Sequence, residues 1–205
     1  MSQLELLNRS WFLSLNAPEG TPSWLISLAT ALANDLIYLI PLLLLYLWLL
    51  GLRGNSLHDS RNLALKACAV TFLALGVNQV IILLWQHPRP FMIGLGRARM
   101  EHAADSSFPS DHMTVFSGIG LTLLAGGAPA LGVITLLAGL CVAWARVFLG
   151  VHFPLDMAGA FVVAAVVALL VSPLWRAAGS PLTRLVETIY RRVLAWPIAR
   201  GWLRN

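Results

Sequence analysis

Of the 205 residues, 58% are hydrophobic and only 11% are charged, and the mean hydropathy is +0.76. Soluble domains of this size carry about 25% charged residues, so the balance excludes an ordinary cytosolic enzyme, a disordered chain and a disulfide scaffold. The net charge of +5 is almost wholly guanidinium, since Lys66 is the single lysine among the 14 basic residues. That pattern suits a membrane protein with arginines at its water-facing ends better than a nucleic-acid binder.

Along the chain, the first residues carry Glu5 and Arg9 and no long apolar run, which argues against a cleaved signal peptide. Residues 21–34 are apolar but short, and Asp35 follows them. They fit either a sixth, tilted crossing continuous with the next segment or a helix lying in the interface, and the second is the expectation. A bilayer core of about 30 Å takes about 20 apolar residues. Residues 36–52 and 67–86 are uncharged runs of that kind. The uncharged stretch 113–145 is long enough for two crossings, with Gly126-Gly127-Ala128-Pro129 as the turn between them. Residues 157–175 make a fifth. In the tail, Leu182, Leu185, Val186, Ile189 and Val193 recur at helical spacing with arginines on the other face. This predicts a helix starting at Ser180-Pro181 and resting on anionic lipid. Cys68 and Cys141 lie in apolar runs and read as small hydrophobes. The expected fold is therefore an all-α integral membrane protein: a bundle of five to six transmembrane helices, with short interfacial helices at the termini. It forms one domain over 1–205, of which 176–205 is a cytoplasmic amphipathic tail.

Arginine placement orients the bundle. Arg53, Arg61 and Lys66 lie in one loop, and Arg176, Arg184, Arg191, Arg192, Arg200 and Arg204 lie in the tail against Glu187 alone. Four crossings separate the two groups, so they share a side, which the positive-inside rule makes cytoplasmic. The opposite side carries Arg89, Arg97, Arg99 and Arg146 against that rule. Anion binding is the reason their position suggests.

Three segments concentrate ionisable groups on that same side: His87-Pro88-Arg89-Pro90, Phe108-Pro109-Ser110-Asp111-His112, and the stretch from Arg146 through His152 to Asp156. Their residue types suit phosphoryl transfer. Arg89 and Arg146 each offer a planar fork to phosphate oxygens. Ser110 opens a helix whose first N–H groups and dipole favour an anion. Asp156, four residues after His152, can hold one ring nitrogen and leave the other free to attack phosphorus, with His112 as the acid for the leaving group. Taken singly, each piece has a plainer reading: a helix-surface pair for His152 and Asp156, a satisfied buried residue for His112, or two ligands of a metal site. No Cys or Glu completes a ligand set, and the chemistry asks for no metal and no cofactor. Their occurrence in order on one face favours the catalytic reading.

These residues resemble the type 2 phosphatidic acid phosphatase superfamily of membrane lipid phosphatases, whose pattern is Lys, six residues, Arg-Pro; then Pro-Ser-Gly-His; then Ser-Arg, five residues, His, three residues, Asp. Arg89-Pro90, Pro109-Ser110-Asp111-His112 and Arg146, His152 and Asp156 match it in order and spacing. The resemblance implies that His152 is the nucleophile that forms a phospho-histidine, Asp156 its orienting partner and His112 the acid, with Arg89, Ser110 and Arg146 on the phosphate. Three positions depart. The family lysine falls at Ile82, with His87, Arg97 or Arg99 as stand-ins. The motif glycine is Asp111, a carboxylate facing His112, an arginine or the substrate. The serine before Arg146 is Ala145.

The Asp variant, with the stretches 102–112 and 150–157, is similar to bacterial undecaprenyl-diphosphatases of the bacitracin-resistance type. That likeness extends nearly end to end, through Asn16-Ala17 and the closing Arg200-Gly201-Trp202. It implies hydrolysis of undecaprenyl diphosphate to undecaprenyl phosphate at the periplasmic face of the inner membrane, recycling the carrier for peptidoglycan synthesis. The implied partners are a polyprenyl diphosphate and membrane lipids, and no nucleic acid; no oligomeric state follows. Arg97 and Arg99 suit a diphosphate, although loop arginines also meet lipid headgroups. The alternatives are a phosphatase or phosphotransferase for another lipid phosphate (phosphatidylglycerophosphate, phosphatidic acid or lipid A) and a non-enzymatic transporter. Transporters place polar groups in mid-membrane, whereas the charges here gather at one boundary.

Overall fold

Apolar runs of this length satisfy their backbone polar groups in lipid only by closing them internally, and the chain does so as helices. The computed structural model describes residues 2–204. Helix α1 (Gln3–Leu15) is followed by α2 (Ser23–Asp35), a 3₁₀ turn (Leu36–Tyr38), α3 (Leu39–Leu49) and α4 (Leu57–Leu84). After a long loop come α5 (Asp111–Ala125), α6 (Pro129–Phe148), α7 (Pro154–Val193) and α8 (Ala195–Ala199). Local chemistry sets the starts. The Ser56 hydroxyl accepts from the Asp59 N–H at 3.0 Å to open α4, and Pro129 and Pro154 open α6 and α7, where a missing N–H costs nothing.

Two expectations about the spans need correction. Residues 21–34 are not a separate short helix. The 13-residue α2 and the 11-residue α3 are each too short to cross, but they run together through the 3₁₀ turn as one 27-residue crossing, Ser23–Leu49. Leu57–Leu84, Pro129–Phe148 and Pro154–Val193 are likewise long and apolar enough to span. The 15-residue α5, about 22 Å long, returns the chain from the end of α4 to the start of α6. The turn at residues 126–128 falls where the glycines put it.

The second correction concerns the tail. Ser180-Pro181 does not start a helix; α7 runs unbroken through Pro173 and Pro181 for 40 residues. Side contacts hold it where the prolines remove backbone donors. The Trp175 indole N–H donates to Asn62 Oδ1 at 2.8 Å, and Glu187 accepts from Arg61 (3.4 Å) and meets His58 Nδ1 at 3.2 Å.

The core lies around α5. Phe116, Ile119 and Leu123 pack against Leu63, Ala64 and Ala67 of α4, Ile40 and Leu47 of the first crossing and Val142 of α6. At one end of the bundle the C-termini of α4 and α6 meet the N-termini of α5 and α7. Helix α1 lies across this end. Its Phe12 is fully buried against Phe153, with ring centroids 5.4 Å apart, and Asn8 Oδ1 accepts from the Leu155 N–H at 3.0 Å.

Candidate active site

The three ionisable segments converge at that end of the bundle. Two glycines permit it. Gly150, at φ +84°, turns the chain out of α6, and a Cβ there would lie 2.2 Å from the Arg97 carbonyl oxygen. Gly159 on α7 leaves the notch that the Phe108 ring fills, since a Cβ would lie 2.1 Å from Phe108 Cε2. Seated there, the loop before α5 brings Ser107 and Ser110, both fully buried, onto the start of α7.

A cavity of about 350 Å³ opens between these segments, lined by Gln79, Ile82, Arg89, His102, Asp105, Ser106, Pro109, Asp111, His112, Arg146 and His152. His152 is 3% exposed. Its Nδ1 lies 3.1 Å from Asp156 Oδ2, and its Nε2 lies 2.9 Å from Arg89 Nη1. Asp156, itself buried, also accepts from the Phe153 N–H at 2.7 Å and from the Ser107 hydroxyl. Burial pushes the His152 imidazole down to about 4 against the opposing pull of Asp156, so the ring is neutral at pH 7. With Nδ1–H given to the carboxylate, Nε2 carries the lone pair, which accepts from Arg89 Nη1.

Two buried guanidiniums flank it. Arg89, 5% exposed, uses Nη1 on the Val151 carbonyl (2.9 Å), Nη2 on the Ser106 carbonyl (3.2 Å) and Nε on Asp105 Oδ1 (2.8 Å). Partial burial opposes charge on Asp105, but the hydrogen bond and charge of Arg89 outweigh it and hold that carboxyl below its ordinary range. Arg146 reaches the Ala33 carbonyl with Nη1 (3.3 Å) and His102 Nε2 with Nη2 (2.8 Å). Its buried Nε has no partner among the described residues. Burial, reinforced by the charge of Arg89, lowers the pKa of His102, which therefore accepts rather than donates at Nε2. Arg146 lines the cavity, where its guanidinium offers charge and donors to an anion.

His112 sits on the first turn of α5 and lines the same cavity. Ser110 caps that helix, its hydroxyl accepting from the Met113 N–H at 3.5 Å. Asp111 is exposed to the cavity and is held by Asn78 Nδ2 at 2.8 Å, which also donates to Thr114 Oγ1 at 2.9 Å.

The three stand-ins for the missing lysine lie elsewhere. Arg97 pairs with Glu19 at 2.6 Å in the open, and its main chain is what Asn16 binds. Arg99 donates to the Pro18 carbonyl at 2.9 Å. His87 packs its ring on Phe153 and Trp85 and lines a separate cavity of about 430 Å³ beside the first. None of the three lines the first cavity. Ile82 does face it, and Gln79 and His102 complete that wall. Ser107, His102, Asp105 and Asn78 were not among the expected site residues. Short polar residues in an aperiodic loop, and one asparagine within an apolar run, carry no sequence signal of their own.

The profile of the PAP2 superfamily matches residues 63–180. The chain belongs to the PAP2 superfamily. Among its relatives, a protein of Escherichia coli (strain K12) provisionally named undecaprenyl-diphosphatase YbjG is 38% identical over 202 residues, covering 98% of this chain and 100% of that one. The undecaprenyl-diphosphatase BcrC of Bacillus subtilis (strain 168) is 34% identical over 156 residues, 75% of this chain and 76% of the relative. Among solved structures, a transmembrane PAP2-type phosphatidylglycerolphosphate phosphatase from Bacillus subtilis superposes with a TM-score of 0.61. It does so at 18% identity over 86% of this chain and 88% of that one, so the two share a fold. The PAP2 motif positions are those that surround the cavity, and the PAP2 departures fall at its wall (Ile82), at its mouth (Asp111) and behind it. There Ala145 is fully buried against Ala33, Phe148 and Leu149.

Proposed function

We propose that this PAP2 protein hydrolyses undecaprenyl diphosphate to undecaprenyl phosphate and inorganic phosphate through a phospho-histidine at His152. It would act at the periplasmic face of the bacterial inner membrane, recycling the carrier for peptidoglycan synthesis and conferring bacitracin resistance. The observation that carries the reading is His152 itself: Nδ1 is held by a buried carboxylate, and Nε2 sits beside Arg89 in a cavity that Arg146 and His112 also line. The two relatives named for this activity support the substrate, and arginines at the opposite end of the bundle support the orientation.

The terminal phosphoryl group docks on Arg89, Arg146 and the first N–H groups of α5, which neutralise its oxygens and align phosphorus with Nε2. The Nε2 lone pair forms a P–N bond as the P–O bond to undecaprenyl phosphate breaks, and the electron pair leaves with that oxygen, which His112 protonates. Asp156 offsets the charge on the imidazolium ring. Water then attacks phosphorus, losing a proton to His112, and the P–N electron pair returns to Nε2.

Phosphate release by the purified protein tests this against undecaprenyl diphosphate, phosphatidylglycerophosphate, phosphatidic acid and, with an acceptor present, lipid A. Turnover of undecaprenyl diphosphate is expected to dominate, and His152→Ala to lower it by at least about a thousandfold. Equal turnover of phosphatidic acid would defeat the substrate assignment, and an active His152→Ala would defeat the phospho-histidine.

A further inference from the structure

The resting cavity already holds an anion of its own. Asp105 Oδ1 sits 2.8 Å from Arg89 Nε, the face of the fork that a phosphoryl oxygen would need. Three residues earlier in the same loop, His102 Nε2 takes a proton donor of Arg146. The two partners are unequal: the Arg89 side chain is 6% exposed, whereas that of Asp105 is 62% exposed. The guanidinium is fixed by the Val151 and Ser106 carbonyls, while the carboxylate is free to swing away into water.

We infer that Asp105 is a selectivity residue, a tethered carboxylate that competes for Arg89 and admits a terminal phosphoryl group while turning away phosphodiester headgroups. The chemistry is one of charge and reach. The site opens at a membrane boundary, where bulk lipids present singly charged phosphodiesters in large excess. A tethered carboxylate competes at an effective concentration on the order of millimolar or more. A diester brings one charge and two free oxygens against it. A terminal phosphoryl group brings close to two charges at pH 7 and a third oxygen, enough to engage Arg89 and the Arg146 guanidinium that lines the same cavity. Once water has cleaved the P–N bond, the carboxylate competes for Arg89 again and helps expel inorganic phosphate. This deepens the proposed activity and rests on its placing the phosphoryl group at Arg89.

The test needs no turnover. Radiolabelled inorganic phosphate is bound at equilibrium to the full chain in uncharged detergent micelles and competed with short-chain phosphatidylglycerol, a diester. Asp105→Asn is expected to bind phosphate about three- to tenfold tighter and to become about tenfold more sensitive to the diester. Asp105→Glu, which restores the tethered charge, is expected to behave as the parent. Unchanged or weaker phosphate binding in Asp105→Asn, or unchanged diester sensitivity, overturns the inference, since a residue that merely positions Arg89 would weaken binding when neutralised. A protein that shows these binding changes yet fails to hydrolyse undecaprenyl diphosphate would sink the substrate assignment and leave the role of Asp105 standing.

Discussion

Asp156 collects the His152 ring, the Phe153 N–H and the Ser107 hydroxyl on a carboxylate that is 1% exposed. A buried carboxylate tolerates its charge only when donors surround it, so under the proposed mechanism Ser107 supports the nucleophile through Asp156 and does not itself line the cavity. Ser107→Ala removes one of those donors and is expected to lower kcat about tenfold with KM unchanged, which steady-state kinetics on the diphosphate would read. The neutral state of His152 has a second consequence. Burial holds its folded pKa at about 4, below the unfolded value of about 6.5, so between those values the unfolded chain binds the extra proton. The stability contributed by the neutral ring is therefore full above about pH 6.5 and is lost as pH falls toward about 4. His102, shifted the same way, adds to this trend. His152→Gln is expected to flatten the fall, measured as melting temperature in micelles from pH 7 to pH 4. An unchanged slope would mean that the imidazole is charged in the folded protein.

The helices matter to the chemistry through their ends and through one notch. Gly159 lies one turn below the start of α7 and carries the Phe108 ring. Alanine is the better helix former there by about 1 kcal/mol, yet its methyl would need the space of Cε2. Gly159→Ala is therefore expected to lower the melting temperature slightly, the overpacking cost of about 1–3 kcal/mol more than offsetting the propensity gain, and to lower kcat/KM more than about tenfold, because Phe108 must lift and carry Ser107 and Ser110 with it. Adding Phe108→Ala to that variant should recover part of the loss, and a double variant as poor as the single one would show that the notch does not set the loop. This division also explains what could be read beforehand. The apolar helices and the spacing that brings Arg89, Arg146, His152 and Asp156 together were legible because length, apolarity and fixed spacing are properties of the chain itself. The union of α2 with α3 was only one of two readings, because Asp35 looks like a terminator until the turn at Leu36–Tyr38 is seen to keep a helical backbone. Past Pro181 the helix carries Glu187 to Arg61, 126 residues away in sequence, a contact no local pattern announces, and His102 and Asp105 meet their arginines only through the folded loop.

At the scale of the molecule the two ends of the bundle hold buried charge for different purposes. At the site end, Arg146 keeps a donor unpaired. At the other end Arg61, 2% exposed, is fully engaged: Nε on the Trp48 carbonyl (3.0 Å), Nη1 on Glu187, Nη2 on the Arg204 carbonyl (3.1 Å), and its plane against the Trp48 and Tyr190 rings at 5.2 and 5.1 Å. This cluster ties the first crossing, α4, the far half of α7 and the C-terminal segment into one knot. Removing one partner of a buried ion pair strands the other, at a cost of about 3 kcal/mol. Glu187→Ala is accordingly expected to destabilise the protein by about that amount, read as a lowered melting temperature and faster proteolysis of the tail. Replacing both partners by apolar residues, Arg61→Met with Glu187→Leu, should recover most of the loss, because no stranded charge remains. A core helix length separates the knot from the cavity, about 30 Å for the 20 residues of α6. The kcat of Glu187→Ala, measured well below its melting temperature, should therefore match the parent. A fall in kcat at full folding would mean that the tail reaches the site through α7, and that the two ends of the bundle do not work independently.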